Sequence, residues 1–367
     1  MTGFVAAAAV RVRVPLRRPL VTARGSWNVV DSWLVQLTAS DGRTGLGEAT
    51  LGPGADPTHQ ADLDARVRAL VAGPGRVGAD VVGDGAFEPA AAESALRAAV
   101  DTALLDLELV TGEPRAASVA VNALIGAESL QASVMAARDA VADGFTTLKL
   151  KGGGEASTAD LLGRLLAVRA AVGPAVRLRL DVNGAWSPDV ARERLAAIAS
   201  VDLELVEQPV APGPGVAAVL AGLRAATGMA LAADESVSSA SAAAGLLRAG
   251  AVDVLVVKPA RVGGPSTALA SAGLARAAGV GVIISTLLET GVGLRAALVT
   301  AAMLPGEGRE LAHGLATGSM LATDLVRGAG VTVSAGRAAC PAGPGLRLAL
   351  DLAAVERSLV ERLGTWA

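Results

Sequence analysis

The sequence predicts an α/β protein: a (β/α)7β barrel of the TIM type preceded by an α+β unit. Three observations predict it. From about residue 118, short apolar runs alternate with Ala/Leu/Arg-rich helical stretches, as parallel βαβ units require. The polar residues that close these runs recur every 24 to 30 positions, a spacing that suits a barrel better than a doubly wound sheet. No glycine-rich dinucleotide fingerprint follows the first run.

Composition sets the outer bounds. A chain of 367 residues can bury a sizeable core, and 52% hydrophobic against 18% charged residues marks it as folded. Much of the apolar content is alanine, aromatics make up 2%, and tyrosine is absent, so helix packing through small residues is expected. A net charge of −3 with no basic block excludes nucleic acid as the main partner. Cys340 is the one cysteine, which excludes an internal disulfide framework and a cysteine-based zinc site. No apolar run is long enough to span a bilayer, and the N-terminus lacks a signal-peptide pattern. A soluble cytoplasmic protein with no membrane partner is the expectation.

The first 115 residues read as the α+β unit. Residues 4–18 and 32–48 are predicted strands, the second stretch a hairpin turning at Ser40-Asp41-Gly42. Arg11, Arg13, Arg17 and Arg18 alternate with apolar residues as one strand face would. The polar stretch RRPLVTARGSWNVVD between the strands is expected to be a loop. Residues 59–72 and 90–110 are predicted helices, the second closed by Gly112 and Pro114. Residues 116–334 are assigned to the barrel, and 335–367 are expected to pack back on the first unit.

The seven runs are VAVNAL, TTLKLK, VRLRLD, LELVEQ, ALAADE, VDVLVVK and GVIIST. Lys149 and Lys151 end the second, Asp181 and Asn183 the third, Glu207 the fourth, Asp234 and Glu235 the fifth, Lys258 the sixth. Ser285 and Glu289 follow the seventh. Taken singly, each has a plain structural explanation, a helix cap or a solvated charge. Five strands in succession that each end in charge point instead to the mouth of a barrel, where active sites lie.

Charge balance indicates the chemistry. Asp181, Glu207 and Asp234 bring three carboxylates together, which repel unless a cation joins them. All-oxygen donors select a hard divalent ion, Mg²⁺ or Mn²⁺. Lys149 and Lys151 face Lys258 across the barrel, and crowding or burial would lower a lysine pKa enough to make a base. The set reads as abstraction of a proton α to a carboxylate, giving an enediolate. His59 is read as a surface residue. His313, after the eighth barrel position, either lines the mouth or is structural.

The motifs K-x-K, D-x-N, E-Q-P, D-E-S and K-P at successive strand ends resemble those of the enolase superfamily, muconate-lactonizing-enzyme subgroup. The resemblance covers nearly the whole chain. It implies that the α+β unit, with SWLVQLTASDGRTGLGEA and ALRAAVDTALLDLE, is a capping domain. It implies metal ligation by Asp181, Glu207 and Asp234, with Lys151 as acid/base and Lys258 opposite. Lys149 and Glu235 would tune these groups, and Asn183 would support the metal side. Ser285, Thr286, Glu289 and Trp27 are expected to contact a small carboxylate substrate, with Val21 to Trp27 closing over it. A homo-oligomer is expected. Within the subgroup, GLATGSMLATDL and ETGVGLRAAL are similar to o-succinylbenzoate synthases, hydro-lyases of menaquinone synthesis. Racemases of N-acylamino acids, dipeptide epimerases and muconate cycloisomerases are the alternatives. The Asp-x-Asp that dipeptide epimerases carry near the eighth strand has no counterpart in ELAHGLATGSMLATDL.

Overall fold

A computed structural model of the chain describes residues 4–22, 25–74, 90–108, 114–126, 129–304, 310–328 and 330–366. The N-terminal sheet is built from β1 (Phe4–Thr22), β2 (Gly25–Ala39) and β3 (Thr44–Thr50). The predicted hairpin joins β2 to β3, with Thr38 opposite Thr44 and Gly42 at a φ of 84°. Helices Pro57–Ala72 and Ala91–Asp106 cover one face of this sheet. The second helix approaches β3 closely: a Cβ on Gly47 would lie 1.9 Å from the Ala99 carbonyl oxygen. Residues Gly112 and those around it lie outside the described residues.

One expectation is corrected here. Most of RRPLVTARGSWNVVD is strand and not loop, since β1 and β2 remain paired out to Thr22 and Gly25. The register breaks between Pro15 and Leu20, and this irregularity absorbs the Arg17–Pro19 segment that looked like loop. Of the expected closing segment, Ala23 and Arg24 lie outside the described residues, and the backbone on either side is paired strand.

The first predicted barrel run also divides. Ser118–Ala120 (β4) pairs antiparallel with a C-terminal strand, and Ala123–Ile125 (β5) opens the barrel. The barrel continues through β6 (Thr147–Lys151), β7 (Arg177–Asp181), β8 (Leu205–Glu207), β9 (Leu231–Ala233), β10 (Val254–Val257) and β11 (Gly281–Ile284). These seven strands form one parallel sheet in sequential order. Parallel bridges from His313 to Val121 and from Gly314 to Ser285 put residues 313–314 in the eighth position. His313 thus lies in that position and not after it.

Alternation along each strand separates two packing surfaces. Leu205, Ala232, Val254, Val256 and Ile283 fill the barrel interior, while Leu148, Leu150, Leu178 and Leu180 pack outward under the helices. Serines 157, 187 and 239 cap helices that follow β6, β7 and β9. Near the C-terminus, β12 (Val333–Ser334) and β13 (Arg337–Ala339) join β4, and β14 (Leu359–Leu363) adds to β1. A third core ties the N-terminal sheet to the barrel: Val10, Val12, Leu34 and Leu46 meet Leu288, Val292, Leu321 and Leu325.

Candidate active site

Register brings the charged strand ends to one level. Lys151 lies opposite Asp181, and Asp181 opposite Glu207. Partners in a parallel ladder share a face, so the three side chains enter the same mouth. Period two puts Lys149 one layer below Lys151, on the same face. Strands β6 and β10, which carry Lys151 and lead into Lys258, are four places apart in a ring of eight. They are opposite walls.

The ion pairs are short and shielded. Lys149 Nζ lies 2.8 Å from Asp181 Oδ2 and 2.6 Å from Glu207 Oε1. Lys151 Nζ donates to Asp181 Oδ2 at 2.7 Å and to Asn183 Oδ1 at 2.8 Å. Asn183 Nδ2 in turn donates to Glu235 Oε1 at 3.0 Å. On the far wall Lys258 Nζ donates to Asp234 Oδ2 at 2.7 Å, and Arg261 Nη1 to Asp234 Oδ1 at 2.7 Å. Asp181, Glu207 and Asp234 are all buried.

These contacts determine protonation. Burial opposes the charge on Lys149, but Asp181, Glu207 and Asp234 outweigh it and hold the ammonium above the usual lysine range. Lys149 therefore stays charged and is a fixed counter-ion to Asp181 and Glu207. Burial likewise opposes the charges on Asp181 and Asp234, yet their lysine and arginine partners depress both carboxyls. Glu207 goes the other way, pushed up to about 7 by burial and by the nearby Asp181.

The donor set suits a hard divalent ion. It comprises three buried carboxylates from neighbouring strand ends, and one cation, Lys149, already stands between two of them. Glu235 Oε2 is a further buried carboxyl oxygen with no hydrogen-bond partner among the described residues. As arranged here the carboxylates face cations of the chain, and no group of three Asp, Glu, His or Cys among the described residues is placed to hold a metal ion.

Ser285 Oγ donates to the Gly314 carbonyl at 3.4 Å, and the Thr286 and Thr317 hydroxyls meet at 2.9 Å. Glu289, expected at the substrate, accepts from the Leu287 amide at 2.8 Å and is pushed up to about 7 by burial and by Glu48. Trp27 lies against Gly54 and lines a cleft with Pro53 and Leu288. His313 is buried, with Nδ1 accepting from the Ile284 amide at 3.0 Å.

The motif reading assigned no role to several residues that shape the site. Gln208 ties β8 to the end of β9 by accepting from the Asp234 and Ser236 amides at 2.9 and 3.1 Å. Arg164, on the next helix, donates to the Lys151 carbonyl at 2.7 Å and pairs with Glu155. Leu124 lies opposite Lys149 in the ladder and is 41% exposed, while its neighbours Ala123 and Ile125 are buried. It gives the mouth an apolar wall. Its only sequence signal was its place at the end of the first run.

The three glycines after Lys151 have separate explanations. A Cβ on Gly152 would come 2.6 Å from Leu180 Cδ1. Gly153 has a φ of 93°, and a Cβ there would come 2.8 Å from that of Ala185. Gly154 faces open space.

A barrel whose mouth sets two lysines on opposite walls around buried carboxylates, with an N-terminal α+β sheet packed on it, defines the class. Comparison with known proteins defines the family. Residues 132–354 match the model of the enolase C-terminal domain-like family, and residues 5–126 that of the mandelate racemase/muconate lactonizing enzyme N-terminal domain. The chain belongs to the mandelate racemase/muconate lactonizing enzyme group of the enolase superfamily. It is an enzyme of that superfamily, a lyase or an isomerase.

The chain is 30% identical over 358 residues to the L-Ala-D/L-Glu epimerase of Bacillus subtilis, covering 92% of this chain and 94% of that protein. It is 36% identical over 211 residues to the o-succinylbenzoate synthase of Thermobifida fusca, covering 57% of this chain and 62% of that protein. A solved structure of the dipeptide epimerase of Enterococcus faecalis, in complex with Mg and the dipeptide L-Leu-L-Tyr, superposes with a TM-score of 0.78 at 25% identity, covering 94% of this chain and 99% of that one. No helix among the described residues is long and apolar enough to cross a membrane.

Proposed function

We propose that this mouth removes a proton α to a carboxylate and that the reaction is the dehydration performed by o-succinylbenzoate synthases. The observation that carries the proton-transfer reading is the pair of lysines on opposite walls, each joined at 2.7 Å to a buried carboxylate. Asp181, Glu207 and Asp234 would hold Mg²⁺ or Mn²⁺. When bound, the ion supplies positive charge for the substrate carboxylate as the α-carbon loses its proton.

The chain's own residues do the rest. Lys151 takes the α-proton and returns it to the departing hydroxyl as water forms. Asn183, held by Glu235, keeps Lys151 Nζ aimed, both as the neutral amine that takes the proton and as the ammonium that returns it, and Arg164 fixes the backbone beneath it. Lys258 faces the ring from the other wall, where a cation over a π-face is favourable. Leu124 offers that ring an apolar contact.

The loop after the eighth position favours a synthase over a dipeptide epimerase. Thr317 there is bound to Thr286. Asp324 is turned to backbone, accepting from the Gly291 and Leu325 amides at 2.8 and 2.7 Å. Thr317 carries no carboxylate, and that of Asp324 is occupied by backbone amides, so neither pairs with a substrate ammonium. A racemase of N-acylamino acids is the second reading, since opposed lysines can serve the two faces of one α-carbon.

The test runs the cyclohexadiene precursor of o-succinylbenzoate beside N-succinyl amino acids in D₂O. Turnover of the precursor supports the synthase. Deuteration of both amino-acid enantiomers without precursor turnover moves the assignment to the racemase.

A further inference from the structure

The loop after β11, residues 285–290, is held from outside the barrel. Leu288 adopts a φ of 76°, a conformation a residue with a side chain keeps only where its surroundings over-determine it. Those surroundings belong to the N-terminal sheet: the Leu288 side chain is buried with Val10, Val12, Leu34 and Leu46.

Glu48, on β3 of that sheet, makes the second attachment. Its Oε1 accepts from the Thr290 amide at 3.0 Å. Its Oε2 accepts from the Thr290 hydroxyl at 2.7 Å and from the Gly293 amide at 2.9 Å. Only 3% of the residue is exposed. Helix Gly291–Met303 starts here, and its first amides have no partner within the helix. Asp324 takes the Gly291 amide at 2.8 Å and the Thr290 hydroxyl takes the Val292 amide at 3.4 Å, so two carboxylates and one hydroxyl divide the helix start. Space is tight: a Cβ on Gly293 would lie 2.7 Å from Glu289 Cβ and 3.2 Å from Glu48 Oε2.

We propose that Glu48 is a positioning residue for the substrate site. It sets the loop that carries Ser285 and Thr286, so Glu48 governs one wall of the mouth from the N-terminal sheet without itself touching substrate. The effect on substrate binding rests on the reading of the mouth as the active site. A carboxylate suits this position because it can accept several donors at once, which a neutral amide does less well.

The experiment compares Glu48→Ala, Glu48→Gln and Thr290→Val with wild type by hydrogen exchange and by kinetics on the cyclohexadiene precursor. Glu48→Ala is expected to speed amide exchange across residues 285–294 by about tenfold or more, while the rest of the chain stays within about twofold. KM is expected to rise by about tenfold with kcat changed less than about threefold. Glu48→Gln keeps an acceptor for the Thr290 amide and should recover most of both effects. Thr290→Val should reproduce part of the Glu48→Ala effect, and the double variant should exceed Glu48→Ala only by the loss of the Val292 cap that the same hydroxyl provides, because the two residues share one contact.

Unchanged exchange in residues 285–294 overturns the proposal. So does a uniform rise across the chain, which would make Glu48 a stability residue only, and so does an exchange change in an active enzyme whose KM and kcat do not move. Should the wild type fail to turn over the precursor, the functional reading falls on its own, and local exchange still decides whether Glu48 sets the loop.

Discussion

Lys149 and Glu207 lie on strands two places apart in the barrel and meet at 2.6 Å in a site that shields both. The same ammonium is 2.8 Å from Asp181. Lys149 is therefore the counter-ion that lets two carboxylates share a floor, and Lys151, one layer higher and more exposed, is the lysine to which the proposed function assigns the substrate. Breaking a buried pair leaves uncompensated charge, at a cost of about 3–5 kcal/mol. Lys149→Met should lose stability of that order in chelator, measured by denaturant unfolding, and recover part of it with Mg²⁺ present. Equal stability of variant and wild type in chelator would contradict this role.

The metal assignment predicts a graded series. Asp181→Asn, Glu207→Gln and Asp234→Asn should each weaken Mn²⁺ binding, followed by its paramagnetic resonance signal, by more than the roughly 10- to 100-fold cost of losing an outer partner. Asn183→Ala, a change outside the proposed donor set, should fall within that lower range. Chelation should abolish turnover, and added Mg²⁺ should restore it. Full activity in chelator would remove the metal from the account.

His313 gives a pH signature in stability. Burial, with Arg179 nearby, pushes its imidazole down to about 4, and the Ile284 amide occupies the nitrogen that would be protonated. The unfolded chain therefore takes up a proton first as pH falls. Stability from this residue is present above about 6.5 and is lost between 6.5 and 4, by roughly 3 kcal/mol in all. Glu207 and Glu289, both raised to about 7, act with the opposite sign between 4.5 and 7, so wild-type stability alone mixes these contributions. The difference between wild type and His313→Asn isolates the imidazole. That gap should shrink by about 3 kcal/mol from pH 7 to pH 4. A constant gap would mean that His313 is not held neutral.

The glycines after Lys151 separate by substitution. Gly153→Ala places a Cβ on a left-handed backbone and 2.8 Å from Ala185 Cβ, so a loss of about 1–3 kcal/mol is expected. Gly154→Ala meets nothing and should stay within about 0.5 kcal/mol of wild type. Urea midpoints for the pair check this. Equal effects would mean that the β6 exit does not depend on Gly153.

The barrel and its charged rim were legible because both are periodic. Apolar runs returned at a regular interval, and alternation along TTLKLK put Lys149 and Lys151 on one face before any partner was known. Contacts between distant segments left no such trace. Glu48 and Thr290 are 242 residues apart, and Glu48 read only as the end of a hairpin. Gln208 closes the run LELVEQ and Arg261 follows VDVLVVK by three residues, but their bonds to Asp234 depend on how adjacent strand ends are staggered. RRPLVTARGSWNVVD misled for a different reason. Its proline and glycine are turn formers by local rule, and a strand irregularity between Pro15 and Leu20 accommodates the segment without ending the ladder.

The central claim is that Lys151 moves the proton. It is tested most directly by the rate of o-succinylbenzoate formation from the cyclohexadiene precursor, for wild type and for Lys151→Ala at saturating Mg²⁺. Wild type should form product, and Lys151→Ala should be slower by about 10²- to 10⁴-fold with Mn²⁺ affinity preserved within tenfold. A Lys151→Ala rate within tenfold of an active wild type would place proton transfer on another residue and contradict the account.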